Sequence, residues 1–164
     1  MQIFFANRFM KKFIPIFVLC VVACSCQPDF SVWRDVNTDV MATMQGDTAY
    51  KSTPSGVLYK VVYPVYHKGY VPKPDSYVQV NYKGMLVDGT VFEVQDSAWL
   101  QVSDLITGWQ EALCMMTDGE KWRLYVPYDL GYGADGLKLA NGNFAIPPYS
   151  TLVFDLELLM VVNN

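Results

Sequence analysis

Residues 105–127 read LITGWQEALCMMTDGEKWRLYVP. The first twelve place Trp109, Ala112, Leu113 and Met116 at helical spacing, which predicts a short amphipathic helix over 105–116. TDGE follows, with Gly119 as a stop. KWRLYVP then alternates apolar and polar side chains, as a half-buried strand does. This is one short helix delivered directly into a strand.

Strands dominate on either side. VLYKVVY (57–63) is β-branched and aromatic, and YVQVNYKGML (77–86) puts Val78, Val80 and Tyr82 on one face. Asp88-Gly89 is a strong hairpin signal. VFEV (91–94) and WLQV (99–102) read as two short strands, and TLVFDLELLMVV (151–162) as the last one. Between the last two strands runs a stretch of about two dozen residues, 128–150. Its aromatics Tyr128, Tyr132, Phe144 and Tyr149 argue against disorder, and loops this long are usually functional. A lone helix among strands buries its apolar face only if the sheet curls around it. The expected class is therefore α+β, a twisted antiparallel β half-barrel wrapped around one short helix.

The 164 residues are 52 % hydrophobic, with eleven tyrosines and nine phenylalanines, so an aromatic β-rich core is expected. Arg8, Lys11 and Lys12 precede an apolar run over 13–23 that is too short to span a bilayer. This reads as a signal peptide over 1–23. Val21-Val22-Ala23-Cys24 resembles the bacterial lipobox, which implies lipidation of Cys24, with Cys26 as the second candidate. Residues 24–52 then form a lipidated N-terminus with a helix over 31–45. That helix reads first as a stalk, with packing on the domain or a dimer contact as alternatives. The main domain is 53–164. Residues 1–23 hold three basic side chains and no acidic one, so the remainder has 9 basic against 16 acidic residues, a net charge of −7. An acidic exported chain is a poor nucleic-acid partner. Cys114 is the one cysteine of the body, His67 the one histidine, and no CxxC occurs. Neither a disulfide frame nor a Cys/His zinc site is expected. Cys114 reads as a small apolar packer, His67 as an exposed loop residue, and Glu111 and Glu120 as surface charges.

Three phrases occur in order: YKGMLVDGTVF, ITGWQEALCMM and IPPYSTLVF. Together they resemble the FKBP-type peptidyl-prolyl isomerases, over roughly residues 53–162. The resemblance implies the half-barrel fold and an activity that needs no nucleophile, metal or cofactor. By position it implies Trp109 as the floor of a proline pocket and Ile106 as the backbone N–H donor to a ligand carbonyl. Leu105 and Leu100 stand on the wall, Tyr82 and Phe92 are pocket aromatics, and Tyr132 is a hydroxyl donor. Ile146 and Phe154 close the pocket. Glu93 stands where the family usually has aspartate, Leu100 where many members carry an aromatic, with Trp99 beside it as a substitute. The loop over 134–145 is longer than usual. The implied partners are proline-containing polypeptides, with macrolides as inhibitors. The implied setting is the bacterial envelope, through a lipid anchor on the periplasm-facing or outer surface, where the protein would assist the folding of exported proteins. A binding module with the same pocket and little turnover is the competing expectation.

The chemistry has a physical basis of its own. Rotation about a peptide bond faces about 18–20 kcal/mol. The twisted transition state loses amide resonance and is less demanding of water. A dry aromatic pocket favours it over the planar ground state. About 5 kcal/mol of such preference gives several thousandfold in rate.

Overall fold

A computed structural model describes residues 28–66 and 69–163. The expected signal peptide, Cys24, Cys26 and His67 lie outside the described residues. Eight strands and two α-helices follow one another as α1 (Ser31–Gly46), β1 (Lys51–Ser52), β2 (Leu58–Tyr63), β3 (Tyr77–Leu86), β4 (Val91–Gln101), α2 (Thr107–Leu113), β5 (Lys121–Val126), β6 (Leu137–Lys138), β7 (Phe144–Ile146) and β8 (Leu152–Val162). Six strands form one sheet in the order β1-β2-β5-β8-β3-β4, and every neighbouring pair is antiparallel. β6 and β7 form a small hairpin of their own.

Alternation explains which face is inside. On β5, Trp122, Leu124 and Val126 are buried while Lys121, Arg123 and Tyr125 are not. β8 buries Leu152, Phe154, Leu156 and Leu158, and β3 adds Val78 and Val80. α2 supplies Trp109, Ala112 and Leu113, and Met116 follows in the turn just beyond its end, all buried. These are positions i, i+3, i+4 and i+7, one face of a helical path. The sheet curls round that face through register shifts at Val61/Tyr63, Gln79/Val80, Val80/Tyr82 and Gly84/Met85. Each adds local bend and twist. The expected α+β half-barrel around a short helix is present.

Several boundaries differ from the sequence reading. The two short strands VFEV and WLQV are a single strand, β4. The polar residues 95–97 between them form a bulge that keeps the strand continuous. Ser97 takes φ +54°, and its N–H donates to Asn81 Oδ1 at 2.8 Å in place of a ladder bond. The helix expected over 105–116 is regular only from Thr107 to Leu113. Leu105 and Ile106 are extended ahead of it, and Gly119 (φ +90°) turns the chain into β5 rather than ending α2. Lys51–Ser52, just ahead of the domain expected from residue 53, is an edge strand paired with Leu58 and Tyr59. Gly108 is needed where it is. A Cβ there would lie 2.5 Å from Val126 Cγ1, so only glycine lets α2 seat this closely on β5.

α1 does not stand off as a stalk. Trp33 Nε1 donates to Ser150 Oγ, Thr151 N–H donates to Asn37 Oδ1, and Phe30 meets Phe144 edge-on at 5.2 Å. The helix is docked on the domain. Among the described residues no helix is long and apolar enough to cross a membrane.

The segment 128–150 is ordered by its aromatics. A 3-10 turn over Tyr128–Leu130 and the β6–β7 hairpin divide it. Tyr128 packs on Tyr149, and Phe144 on Phe30. Glu111 and Glu120 are not free surface charges. Glu111 accepts hydrogen bonds from Thr53 (2.8 Å) and Ser55, tying α2 to the turn before β2. Glu120 accepts from Thr117 N–H and Trp122 Nε1.

Candidate functional site

A cavity of about 270 Å³ opens between the inner sheet face and α2. Tyr82 enters from β3, Phe92, Glu93 and Leu100 from β4, and Phe154 from β8. Asp104, Leu105 and Ile106 come from the turn before α2, Trp109 from α2 itself and Tyr132 from the loop after β5. Nine of the ten residues expected at the site therefore line one cavity. Ile146 is the exception. Its side chain is 1 % exposed and packs in the core beside the cavity instead of closing it. Its contribution is structural: Gly136 (φ +65°) passes so near that a Cβ would meet Ile146 O at 2.3 Å.

The floor is a set of edge-to-face rings. Trp109 meets Tyr82 at 4.9 Å and 86°, and Phe154 at 5.0 Å and 81°. Phe154 meets Phe92 at 5.8 Å and 90°. Each such pair contributes about 0.5–1.5 kcal/mol beyond area burial, so the floor is rigid before any ligand arrives. Trp109 is 4 % exposed, and its Nε1 has no hydrogen-bond partner among the described residues. Leu100 forms the wall where an aromatic is common in the family. Trp99 does not stand in for it. It lies on the opposite, outer face of β4 and is half exposed.

Two donors face this apolar space. Ile106 sits just before the first turn of α2, and its N–H meets no acceptor among the described residues. Gln110 Nε2 donates to Leu105 O at 2.7 Å and Ser103 O at 3.2 Å, which holds the turn that presents it. The Tyr132 hydroxyl is the second donor. Burial, then the nearby Glu93 charge, raise its pKa. Tyr82 is shifted further in the same direction, by burial first, then by a hydrogen bond to Glu93 and by the Glu93 charge. The longer Glu93 side chain thus still reaches the Tyr82 hydroxyl. Both phenols are held as donors.

Asp104 lines the cavity, and sequence reading passes over it. Adjacency to Leu105 was the available signal for it. Gln110, which holds the turn that precedes α2, and Gly84, behind the Phe92 ring, support the cavity through contacts that only folding creates. Two larger hollows, of about 610 and 590 Å³, lie on the charged outer face of the sheet and between α1 and the loop. Neither includes Trp109 or has a buried ring floor, so size is a poor guide to the chemistry here. Among the described residues no His/Cys/Asp/Glu cluster could hold a metal ion.

The raised phenols carry a sign. Their folded pKa values exceed the unfolded value of about 10, so the fold binds those protons more tightly. Their contribution to stability is complete below pH about 10 and is lost as pH rises through the folded values. In an ultraviolet titration, Tyr82 and Tyr132 should ionise late, above the ordinary phenol value of about 10. Replacing both with phenylalanine should diminish the late phase and leave the early one intact. Loss of the early phase instead would contradict the buried-donor geometry.

A family model described as FKBP-type peptidyl-prolyl cis-trans isomerase matches residues 69–159. The chain is 40 % identical over 115 residues to the FKBP-type 22 kDa peptidyl-prolyl cis-trans isomerase of Escherichia coli (strain K12), covering 68 % of this chain and 52 % of that protein. It is 39 % identical over 112 residues to the outer membrane protein MIP of Legionella longbeachae, covering 66 % of this chain and 45 % of the relative. The crystal structure of a peptidyl-prolyl cis-trans isomerase from Pseudomonas syringae pv. tomato str. DC3000 is similar to it with a TM-score of 0.75 and 30 % identity, over 84 % of this chain and 98 % of that one. The chain spans about half the length of the curated relatives it matches.

Proposed function

The chain belongs to the FKBP-type peptidyl-prolyl cis-trans isomerase family, and on that premise we propose that it catalyses rotation about Xaa-Pro bonds of polypeptides. One observation carries the reading. A dry ring floor under Trp109 and two donors, Ile106 N–H and Tyr132 O–H, converge on a single cavity. The proline ring would lie on Trp109, between Phe92, Phe154 and the leucines Leu100 and Leu105. Ile106 N–H would hold the ligand carbonyl. Planar amide oxygen loses the water it prefers, while the twisted amide loses little, so the barrier falls. Tyr132 would fix the backbone of the bound segment. Glu93 keeps the Tyr82 ring edge in place over Trp109. No bond is broken, so the site needs neither nucleophile nor metal.

The reading extends to setting. Residues 1–23 would direct export, Cys24 would carry the lipid, and the domain would act on folding polypeptides at the envelope. The name of the Legionella relative as an outer membrane protein is consistent with this. One acyl chain is a marginal anchor, and several on one cysteine hold firmly. Cys24→Ser should abolish acyl labelling of the full chain. Labelling that persists would move the assignment to Cys26. Macrolides of the family's inhibitor class would compete for the same cavity.

The decisive experiment is cis–trans exchange of a short Xaa-Pro peptide followed by NMR. Tyr132→Phe should lower turnover by about tenfold, the scale of one neutral hydrogen bond of about 0.5–1.5 kcal/mol, with an unchanged fold. Peptide binding without acceleration by the wild type would make the domain a binding module instead. Full activity in Tyr132→Phe would remove Tyr132 from the site.

A further inference from the structure

α1 lies outside the residues matched by the family model, yet it grips the loop that reaches the pocket. Asn37 is 2 % exposed. Its Oδ1 accepts the Thr151 N–H at 2.7 Å, while its Nδ2 donates to Trp33 O at 2.7 Å. The second bond decides which way the amide faces. One turn earlier, Trp33 Nε1 donates to Ser150 Oγ at 2.9 Å, and that hydroxyl donates to Pro147 O at 2.7 Å. The Arg34 guanidinium lies 5.5 Å from the centroid of the Tyr149 ring, which also meets Tyr128 at 5.4 Å.

Tyr149 sits at φ +61°. A residue with a Cβ rarely adopts this region, and it persists there only where the surroundings over-determine it. Here α1 supplies a large part of those surroundings. The Tyr149 N–H in turn donates to Gly133 O at 3.0 Å, and the Gly133 N–H donates to Tyr128 O at 2.8 Å. Gly133 follows Tyr132 directly. The path is short: α1 holds Ser150 and Thr151, these hold Tyr149 left-handed, and Tyr149 holds the backbone beside the pocket hydroxyl.

We propose that α1 is a strap that sets the pocket, with Asn37 as a positioning residue for Tyr132. The proposal rests on the isomerase reading above. Asn37 does not line the cavity, so its effect must travel through the loop. Asn37→Ala leaves the Thr151 N–H buried and unpaired, which frees 149–151 to relax. The Gly133 carbonyl then loses its donor, and the Tyr132 hydroxyl drifts from its place.

The test is a double-mutant cycle with two readouts. Asn37→Ala should lower kcat/KM for an Xaa-Pro peptide by about five- to tenfold, the scale of a displaced donor. Asn37→Asp keeps an oxygen for the Thr151 N–H but loses the donor to Trp33 O, so it should restore only part of the loss. In a Tyr132→Phe background Asn37→Ala should have less than about a twofold further effect, since the group it positions is gone. An equal loss in both backgrounds overturns the proposal and leaves Asn37 a purely structural residue. The second readout needs no turnover. Amide exchange at Tyr149 should accelerate about tenfold or more in Asn37→Ala while the central amides of β3 and β8 keep their protection. Unchanged exchange at Tyr149 overturns the strap. A wild type that does not isomerise refutes the isomerase reading, and Tyr149 exchange still decides the strap. Where Asn37→Ala does not fold, Trp33→Phe removes the bond to Ser150 and keeps an aromatic ring against the core. It should move Tyr149 exchange in the same direction, and no movement overturns the proposal.

Discussion

Trp109→Ala should reduce the acceleration of Xaa-Pro exchange at least a hundredfold, more than loss of either hydrogen-bond donor. The ring is the floor on which proline would lie, and it supports two others. Without it Tyr82 and Phe154 lose their edge-to-face partner, and the cavity enlarges into water-accessible space. Both changes act on the term that matters, the dryness of the site relative to solvent. Truncating a buried tryptophan also costs about 3–5 kcal/mol of stability, a large fraction of a typical 5–15 kcal/mol. Unfolding must therefore be separated from loss of the floor. Trp109→Leu refills much of the volume and removes the buried Nε1, which makes no hydrogen bond among the described residues. Its stability should sit well above that of Trp109→Ala, while its turnover should be nearly as low. Peptide exchange by NMR at a temperature where circular dichroism shows both variants folded reads this out. Near-native turnover in folded Trp109→Leu would mean that apolar volume alone suffices and that the ring has no special part.

What could be read in the sequence, and what could not, divides along a physical line. Local patterns survive. Trp109, Ala112, Leu113 and Met116 announce a buried helical face because their spacing is the helix's own period. Asp88-Gly89 announces a turn because glycine relieves the left-handed backbone, and it does so at φ +87°. The three ordered phrases and their flanking residues bring nine of the ten expected residues to one cavity. The failures come from distant partners. VFEV and WLQV look like two strands, since nothing local shows that Asn81 will accept the Ser97 N–H sixteen residues away and carry one strand through both. Asn37 looks like one polar position on an exposed helix, and only Thr151, 114 residues later, makes it buried and satisfied. Ile146 shares a motif with pocket residues but faces the core, because the close pass of Gly136 turns that segment inward. Chemistry-bearing side chains were legible; the backbone that aims them was not.

Gly84→Ala should inactivate the site while leaving the fold in place, and two opposing terms decide the sign of its effect on stability. Glycine within a strand is entropically unfavourable. Alanine at a compatible backbone position stabilises by about 0.4–1 kcal/mol. Gly84 lies within β3 and is not at positive φ. Against this, a Cβ at 84 would lie 2.6 Å from Phe92 Cε2 and Cζ and 3.0 Å from Phe154 Cε1. Overpacking of this kind costs about 1–3 kcal/mol, so the net change should be a modest destabilisation. The rings need not break the core to make room, because Phe92 is only half buried and the cavity is its open side. It should swing into the space that proline would occupy. Activity should then fall by tenfold or more, far out of proportion to stability. Trimming the ring tests the cause. Phe92→Leu removes the two closest colliding atoms and leaves only the 3.0 Å approach to Phe154, so Gly84→Ala added to Phe92→Leu should cost much less in turnover and in denaturant midpoint than it does in the wild type. Contacting residues show such non-additivity, and distant ones do not. Additive losses would mean that Gly84 is required for the backbone of β3 and not for the position of the Phe92 ring.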